Sequence, residues 1–267
     1  MPFFNYHGKR IFVNSSGKGK TIVLLHGFTE SSEIWKRMTT GLSENFKVIV
    51  IDLPGHGESD CVEKVHDMEL QADVVHAVLS ALKVRKCLMI GHSMGGYVTL
   101  AFAREHPEML GGFGLFHSHV FADSHEEKEN RDRAIELVKN DKTCFITRFI
   151  PGLFPPEVQR KFAKEIRELV RQAGKMPKEG IIAAQAGMKV RKDQTALLRT
   201  TRLPVLFILG LKDIRVPVDK IRNMIFLPVR SEALILRDVG HMGYIEAPGE
   251  TLEAIRGFAG KVLLKTK

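Results

Sequence analysis

The chain has 267 residues, of which 44% are hydrophobic and 27% charged, and its formal net charge is +9. This length and composition are ordinary for a globular protein and allow one domain, or one domain that carries an insertion. No stretch approaches the ~20 apolar residues of a membrane helix, and residues 1–10 lack the pattern of a secretory signal, so we expect a cytoplasmic protein without membrane insertion.

Short apolar runs alternate with segments of helical periodicity along most of the chain. A first run, residues 9–15, predicts an antiparallel edge strand. Six further runs are almost continuously apolar and cover residues 21–26, 47–52, 86–92, 111–118, 204–210 and 232–238. Short continuous apolar runs are typical of strands buried on both faces. Helical periodicity or position predicts helices over residues 68–82, 94–105 and 248–264. The alternation predicts an α/β fold with a mostly parallel sheet.

Residues 119–199 break the alternation, because no strand pattern appears there. Helical patterns are interrupted by turn signals at Pro151-Gly152, Pro155-Pro156 and Pro177. A segment of this length exceeds an ordinary connection. We therefore predict a core of residues 1–118 and 200–267, with a helical lid, residues 119–199, over one end of the sheet.

The predicted lid is basic, with ten Lys/Arg and five acidic residues between positions 156 and 193. Such a face can attract nucleic acid, anionic lipid or an acidic substrate. A solvated helix surface is the more common explanation, so no nucleic-acid partner is predicted. The three cysteines, Cys61, Cys87 and Cys144, form no CxxC pair, so neither a disulfide framework nor a metal site is expected.

The segment Gly91-His92-Ser93-Met94-Gly95 matches the pattern G-x-S-x-G. In this pattern the serine occupies a strained strand-to-helix turn that exposes its hydroxyl, and the glycines allow strand and helix to cross closely. An apolar run precedes the motif and a helical pattern follows it. Ser93 is therefore the predicted nucleophile.

The base and the acid of a serine nucleophile are expected later in the chain. Asp213 follows the run at 204–210, and His241 follows the run at 232–238. Because parallel strands end at one edge of a sheet, Ser93, Asp213 and His241 can converge as a catalytic triad. The backbone N–H groups of Met94 and Phe28 are the predicted oxyanion donors. His26, His56 and His92 are interpreted as structural.

The motifs HGF, DLPGHGES, GHSMGG, GLKD and VGHM together resemble the α/β-hydrolase superfamily. They are most similar to its esterase-like branch, which includes pimeloyl-ester carboxylesterases, enol-lactonases and related carbon–carbon bond hydrolases. This resemblance covers about residues 20–264. It implies the α/β-hydrolase fold, with a mostly parallel eight-stranded twisted sheet, flanking helices, a lid and no cofactor. It also supports Ser93, Asp213 and His241 in their predicted roles, and places a substrate pocket between lid and sheet.

These features predict a hydrolase that cleaves a carboxylic ester of a small or medium acyl substrate through an acyl-enzyme, as a monomer or homodimer. A serine at position 93 disfavours haloalkane dehalogenase and epoxide hydrolase chemistry, which needs an aspartate there. Thioesterase, lactonase, perhydrolase or carbon–carbon hydrolase activity remains open, as does a ligand sensor with a vestigial triad. The predicted substrate-contacting residues are His119, Phe149, Phe154, Met188, Ile214 and Met242.

Overall fold

An eight-stranded sheet with the strand order β1-β2-β4-β3-β5-β6-β7-β8 forms the centre of the computed structural model. The structure describes residues 2–264, apart from the side chain of Lys220, so the outermost residues of the predicted core lie outside it. The strands are β1 (Phe3–Tyr6), β2 (Lys9–Ser16), β3 (Thr21–Leu25), β4 (Lys47–Ile51), β5 (Cys87–His92), β6 (Leu110–Phe116), β7 (Val205–Gly210) and β8 (Ser231–Leu236). The predicted α/β-hydrolase fold is confirmed.

The six strands β4, β3, β5, β6, β7 and β8 are parallel to one another. Strand β2 pairs antiparallel with both β4 and β1. Strands β3, β5 and β7 are buried along their whole length, as their uninterrupted apolar sequences predict. The prediction that residues 9–15 form the edge was wrong. Strand β1 forms this edge of the sheet and pairs with β2, with Phe3 opposite Phe12, so β2 is the second strand from the edge.

Helices connect and flank the strands. They are α1 (Lys36–Leu42), α2 (Met68–Ala81), α3 (Met94–Glu105), α4 (His125–Asn140), α5 (Lys142–Phe149), α6 (Ala163–Lys175), α7 (Lys178–Lys189), α8 (Thr195–Thr200), α9 (Val218–Ile221), α10 (Gly243–Glu246) and α11 (Pro248–Leu263). The predicted ends are close to those observed: α3 ends at Glu105, before Pro107. Over residues 2–264, no helix has both the length and the apolar character that a bilayer crossing demands.

The connection between β6 and β7 contains α4 to α8 and no strand within the described chain. Its first long helix, α4, begins with a capping box in which the Ser124 side chain accepts from Glu127 N–H and the Glu127 side chain accepts from Ser124 N–H. Just before it lies Asp123, a buried carboxylate paired with the guanidinium groups of Arg131 and Arg191. We call this connection the helical insertion.

Helix α7 fixes the helical insertion to the core through two glycines. A Cβ atom on Gly180 would overlap the backbone of Gly55, and one on Gly187 would overlap the carbonyl group of His66. The amide N–H of His66 also donates to the carbonyl oxygen of Ala183 in α7, at 3.0 Å. The helix backbone thus lies directly on the loop between β4 and α2.

Candidate active site

Ser93 occupies a sharp turn between β5 and α3. Its backbone has φ 49° and ψ −114°, a conformation that non-glycine residues rarely adopt. A Cβ atom on Gly91 would overlap the backbone of Gly95, and one on Gly95 would lie 2.5 Å from the Leu25 carbonyl oxygen. Both flanking glycines are therefore required for the close crossing of β5, α3 and β3, as the G-x-S-x-G pattern predicts.

Ser93, His241 and Asp213 form a continuous chain of contacts at the carboxyl edge of the sheet. The Ser93 Oγ atom lies 2.9 Å from His241 Nε2, and His241 Nδ1 lies 2.8 Å from Asp213 Oδ2. The other Asp213 oxygen accepts hydrogen bonds from the backbone N–H groups of Arg215 and Val216, at 2.8 and 2.9 Å. The structure thus brings together the three side chains that the sequence placed after separate strands.

The environment of Asp213 keeps this carboxyl group ionised. Burial alone would raise its pKa, but the charge and hydrogen bond of His241, together with His117, hold the pKa of Asp213 well below its usual value. An ionised Asp213 can only accept hydrogen bonds, so it favours the His241 tautomer that carries its hydrogen on Nδ1. In that tautomer Nε2 is free to accept the proton of the Ser93 hydroxyl.

A second histidine, His117, lies beside the same carboxylate. Its Nδ1 atom is 3.2 Å from Asp213 Oδ2, and its side chain is fully buried. Burial lowers the pKa of His117 to about 4, against the opposing effect of Asp213. His117 is therefore neutral near pH 7. The sequence analysis did not identify it, because a histidine directly after β6 carries no motif.

The loop that carries His241 is held at several backbone atoms. One oxygen of Glu246 accepts from Gly240 N–H at 2.9 Å, and the other accepts from Met242 N–H at 3.0 Å. The N–H of His241 itself donates to the Leu153 carbonyl oxygen of the helical insertion, at 3.2 Å. These bonds fix the backbone on both sides of the imidazole.

A buried ion pair lies beneath this loop. His92 Nδ1 donates to Glu30 Oε2 at 2.9 Å, and His92 Nε2 donates to the His241 carbonyl oxygen at 2.9 Å. Glu30 also accepts from Gly27 N–H at 2.6 Å and from the Tyr244 hydroxyl at 3.0 Å. Burial alone would lower the pKa of His92, but the Glu30 charge and hydrogen bond raise it. Glu30 is the partner with the lowered pKa.

The predicted oxyanion donors are Phe28, in the loop after β3, and Met94, which directly follows Ser93. Met94 is the first residue of α3, so its N–H has no partner within the helix. Among the described residues, neither this N–H nor that of Phe28 donates to another protein group. Thr29, which follows Phe28, has a positive φ of 62°. The loop after β3 is thus sharply bent where a donor is expected.

Two further histidines hold the loops around this site. Leu53 N–H donates to His26 Nε2 at 2.9 Å, so the other ring nitrogen of His26 carries hydrogen and donates to Gly27 O at 2.7 Å. His56 is also fully buried and contacts the Pro54 carbonyl oxygen at 3.0 Å. Burial lowers the pKa of both histidines. They are neutral parts of the loop structure.

A cavity of about 500 Å³ opens onto Ser93 and His241. Its apolar wall consists of Phe28, Ala134, Phe145, Phe149, Leu153, Met188 and Val216. Its polar wall consists of Tyr97, His119, Asp123, Glu127, Asn130, Arg131, Gln185, Arg191 and Arg215. The cavity lies between the core and the helical insertion, because both contribute to each wall.

Half of the predicted substrate-contacting residues line this cavity, namely His119, Phe149 and Met188. The other half, Phe154, Ile214 and Met242, do not. Phe154 is 1% exposed and its ring packs against Phe162, while Met242 is 0% exposed. Ile214 is 64% exposed and lines a neighbouring cleft instead. For Ile214 and Met242, position after a strand did not reveal which way the side chain points, and for Phe154, position in the helical insertion did not.

The chain is similar in sequence and fold to known proteins. Residues 20–248 match the family model described as alpha/beta hydrolase fold. A thermophilic esterase from Thermogutta terrifontis, solved with malate bound, is 33% identical and has a TM-score of 0.91. That match covers 98% of this chain and 97% of the esterase.

Two curated relatives show the range of similarity. The pimeloyl-[acyl-carrier protein] methyl ester esterase of Aeromonas hydrophila is 26% identical over 94% of this chain and 99% of its own length. An uncharacterized protein of Mycobacterium tuberculosis is 33% identical over 41% of this chain, and the match spans only 32% of that longer protein. The chain therefore belongs to the α/β hydrolase fold family.

Proposed function

We propose that this protein is a hydrolase that cleaves a carboxylic ester of a small or medium acyl substrate through a covalent acyl-enzyme on Ser93. The observation that carries the proposal is the chain of contacts from Ser93 through His241 to Asp213, which faces a cavity of about 500 Å³. A cavity of this size is typical of small-molecule sites. The two esterases similar to this chain support an ester as substrate.

In the first half of the proposed reaction, Ser93 Oγ attacks the acyl carbon while His241 Nε2 takes its proton. Asp213 stabilises the imidazolium that forms. The N–H groups of Phe28 and Met94 donate to the oxygen of the tetrahedral intermediate, and one such donor contributes ~2.7–4 kcal/mol to the transition state. His241 then protonates the leaving alcohol, and the acyl group stays on Ser93.

In the second half, water enters the site left by the alcohol and His241 acts again as general base. The water attacks the acyl carbon as His241 takes its proton. His241 then returns the proton to Ser93 Oγ while the bond between Oγ and the acyl carbon breaks. The net reaction consumes one water and releases an acid and an alcohol.

We further propose that the helical insertion serves as the lid of this site. Five of the seven apolar residues in the cavity wall belong to the insertion, namely Ala134, Phe145, Phe149, Leu153 and Met188. These side chains provide an apolar surface for an acyl chain. The Leu153 carbonyl oxygen also accepts from His241 N–H at 3.2 Å, so the insertion contacts the proposed base directly.

Replacement of Ser93 tests the proposal. Ser93→Ala should abolish labelling by a fluorophosphonate probe and reduce turnover of a p-nitrophenyl ester panel by a factor on the order of 10³ or more, because the nucleophile is removed. Ser80→Ala, at an exposed serine of α2, is the matched control and should keep both properties. Unchanged turnover in Ser93→Ala would refute the proposal. Labelling of the wild type without turnover of any ester would favour the ligand sensor.

A further inference from the structure

The cavity wall contains a guanidinium group that forms no ion pair with any acidic side chain in the described part of the chain. Arg215 lines the same cavity as Ser93 and His241. Its guanidinium carbon lies 4.7 Å from the centre of the Phe149 ring, a cation–π contact that orients it. Among the ion pairs and side-chain hydrogen bonds of residues 2–264, none involves this guanidinium.

The other arginine and acidic side chains in the cavity wall each have a hydrogen-bond or ion-pair partner. Asp123 is paired with both Arg131 and Arg191, and Arg131 also donates to the side-chain oxygen of Gln185 at 2.9 Å. Glu127 accepts from the N–H of Ser124 as part of the capping box of α4. Arg215 therefore differs from its neighbours, since its donors are not committed to the fold.

Arg215 is held at a defined place relative to the proposed chemistry. Its own N–H donates to Asp213 Oδ1 at 2.8 Å, which ties its backbone to the proposed acid. Its partner Phe149 contacts Phe28, with ring centres 5.5 Å apart. The Phe149 ring thus lies between the Arg215 guanidinium and Phe28, whose N–H is a proposed oxyanion donor. A substrate that spans this distance would have its acyl carbon at Ser93 and its far end at Arg215.

We propose that Arg215 binds a carboxylate at the far end of the acyl chain, so that the preferred substrate is a monoester of a dicarboxylic acid. This inference rests on the proposed ester hydrolase function. A planar guanidinium binds a carboxylate through two parallel hydrogen bonds. The methylene groups between the ester and the carboxylate would lie along the apolar wall formed by Phe149 and Val216. Hydrolysis would release the alcohol and the free dicarboxylate.

Two substrates matched in acyl carbons test this assignment: the p-nitrophenyl monoester of adipic acid and p-nitrophenyl hexanoate. Arg215→Met should lower kcat/KM for the adipate monoester by roughly tenfold to a hundredfold, the range expected for a lost charged hydrogen bond. It should change kcat/KM for hexanoate by less than about twofold. Arg215→Lys should retain part of the preference, because a point charge remains. The control Arg222→Met removes an exposed arginine directly after α9 and should leave kcat/KM unchanged for both esters.

An equal loss for both esters in Arg215→Met would overturn the proposal, since it would indicate a general structural role. Wild-type preference for hexanoate over the adipate monoester would also overturn it. A separate measurement covers the case in which no ester is hydrolysed. Isothermal titration of adipate itself should show binding to the wild type and to Arg222→Met, and loss of binding in Arg215→Met. Binding without turnover would refute the ester hydrolase function alone, and absence of binding would refute the role of Arg215.

Discussion

At the scale of single residues, the buried pair of Glu30 and His92 is the connection between the two halves of the proposed site. The Glu30 carboxylate accepts from the N–H of Gly27 in the loop after β3, and His92 donates to the carbonyl oxygen of His241. Both ring nitrogens of His92 donate, so the bonds require an imidazolium. Buried ion pairs often add little net stability, because desolvation is costly. Their clearest effect here is to fix the distance between two loops.

This pair should make the free energy of unfolding depend on pH. The pKa of Glu30 is lowered and that of His92 is raised. The Glu30 contribution is lost as pH falls below the ordinary glutamate pKa of about 4.3, and the His92 contribution is lost as pH rises from about 6.5 through its raised pKa. Between these values the pair contributes fully. Urea unfolding across this range should show wild-type stability falling on the alkaline side.

Glu30→Gln should remove that dependence. A neutral His92 has a single N–H, which can stay on Nε2 and donate to the His241 carbonyl oxygen. The glutamine at position 30 must then either lose its bond to His92 Nδ1 or turn its NH₂ group toward Nδ1 and lose the bond from Gly27 N–H. Removal of one partner of a buried pair costs about 3–5 kcal/mol, and the difference from wild type should shrink as pH rises above the raised His92 pKa. Glu44→Gln, at an exposed glutamate, serves as the control. Parallel stability curves for wild type and Glu30→Gln would rule out an ionised pair.

The amide variant Asp213→Asn tests whether the acid sets the tautomer of His241. The remaining carbonyl oxygen should keep accepting from the N–H groups of Arg215 and Val216, because those donors have no alternative. The amide NH₂ would then face His241 Nδ1 and favour hydrogen on Nε2, where it cannot accept the Ser93 proton. We expect kcat to fall by a factor on the order of 10³–10⁴ with an almost unchanged melting temperature. Near wild-type kcat would mean that Asp213 is not the acid.

The sequence predicted Ser93, Asp213 and His241 and a structural role for three nearby histidines, but it did not identify the acidic residues that support the site. Ser93, Asp213 and His241 each follow an apolar strand, so parallel topology alone placed them at one edge. Glu30, Glu246 and Arg215 have no such signal, because an acid or arginine in a loop is usually solvated. Their partners are fixed by side-chain direction and by loops distant in sequence, neither of which follows from periodicity.

At the scale of secondary-structure elements, the orientation of α7 depends on the absence of side chains at Gly180 and Gly187. A Cβ atom at either position would overlap backbone of the loop between β4 and α2. Residue Met188, directly after Gly187, lines the cavity. Displacement of α7 should therefore alter both the docking of the helical insertion and the shape of the site.

Gly187→Ala should destabilise the protein by about 1–3 kcal/mol, the usual cost of forcing extra atoms into a packed contact. It should also raise KM for acyl esters, because Met188 moves with the helix. Gly174→Ala is the matched control, since no atom lies within 4 Å of its added Cβ and alanine favours the α6 helix. Its melting temperature should equal or exceed that of wild type. Equal melting temperatures for the two variants would contradict the proposed contact.

The elements themselves were more predictable than their packing. Strands β3, β5 and β7 have no polar interruption and are buried on both faces, so their sequences matched the structure. The helices between β6 and β7 were expected as a group, but their interior was not. Phe154 was assigned to the pocket and is instead buried against Phe162. An aromatic residue in the helical insertion can pack against several different apolar side chains, and the sequence pattern does not predict which of these contacts forms.

At the scale of the whole molecule, the sheet and the helical insertion share one hydrophobic core. Buried side chains of the insertion, among them Phe145, Leu153 and Ile181, belong to the same contact cluster as those of β3 and β5. Its polar contacts, such as the bond from His241 N–H to the Leu153 carbonyl oxygen, also cross to the core. A continuous core of this kind favours cooperative unfolding, even though the chain is longer than most two-state domains.

The single tryptophan allows this cooperativity to be measured. Trp35 is 0% exposed and lies in the core, with its ring 5.9 Å from Phe116 and 6.0 Å from Tyr244. Its fluorescence therefore reports the core, whereas far-ultraviolet circular dichroism also follows helices α4 to α8. We expect the two signals to change at the same urea concentration, because separation of the insertion would expose apolar side chains on both surfaces. If circular dichroism instead loses part of its helical signal while Trp35 fluorescence stays native, the helical insertion opens independently. The proposed site would then be assembled only when the insertion closes.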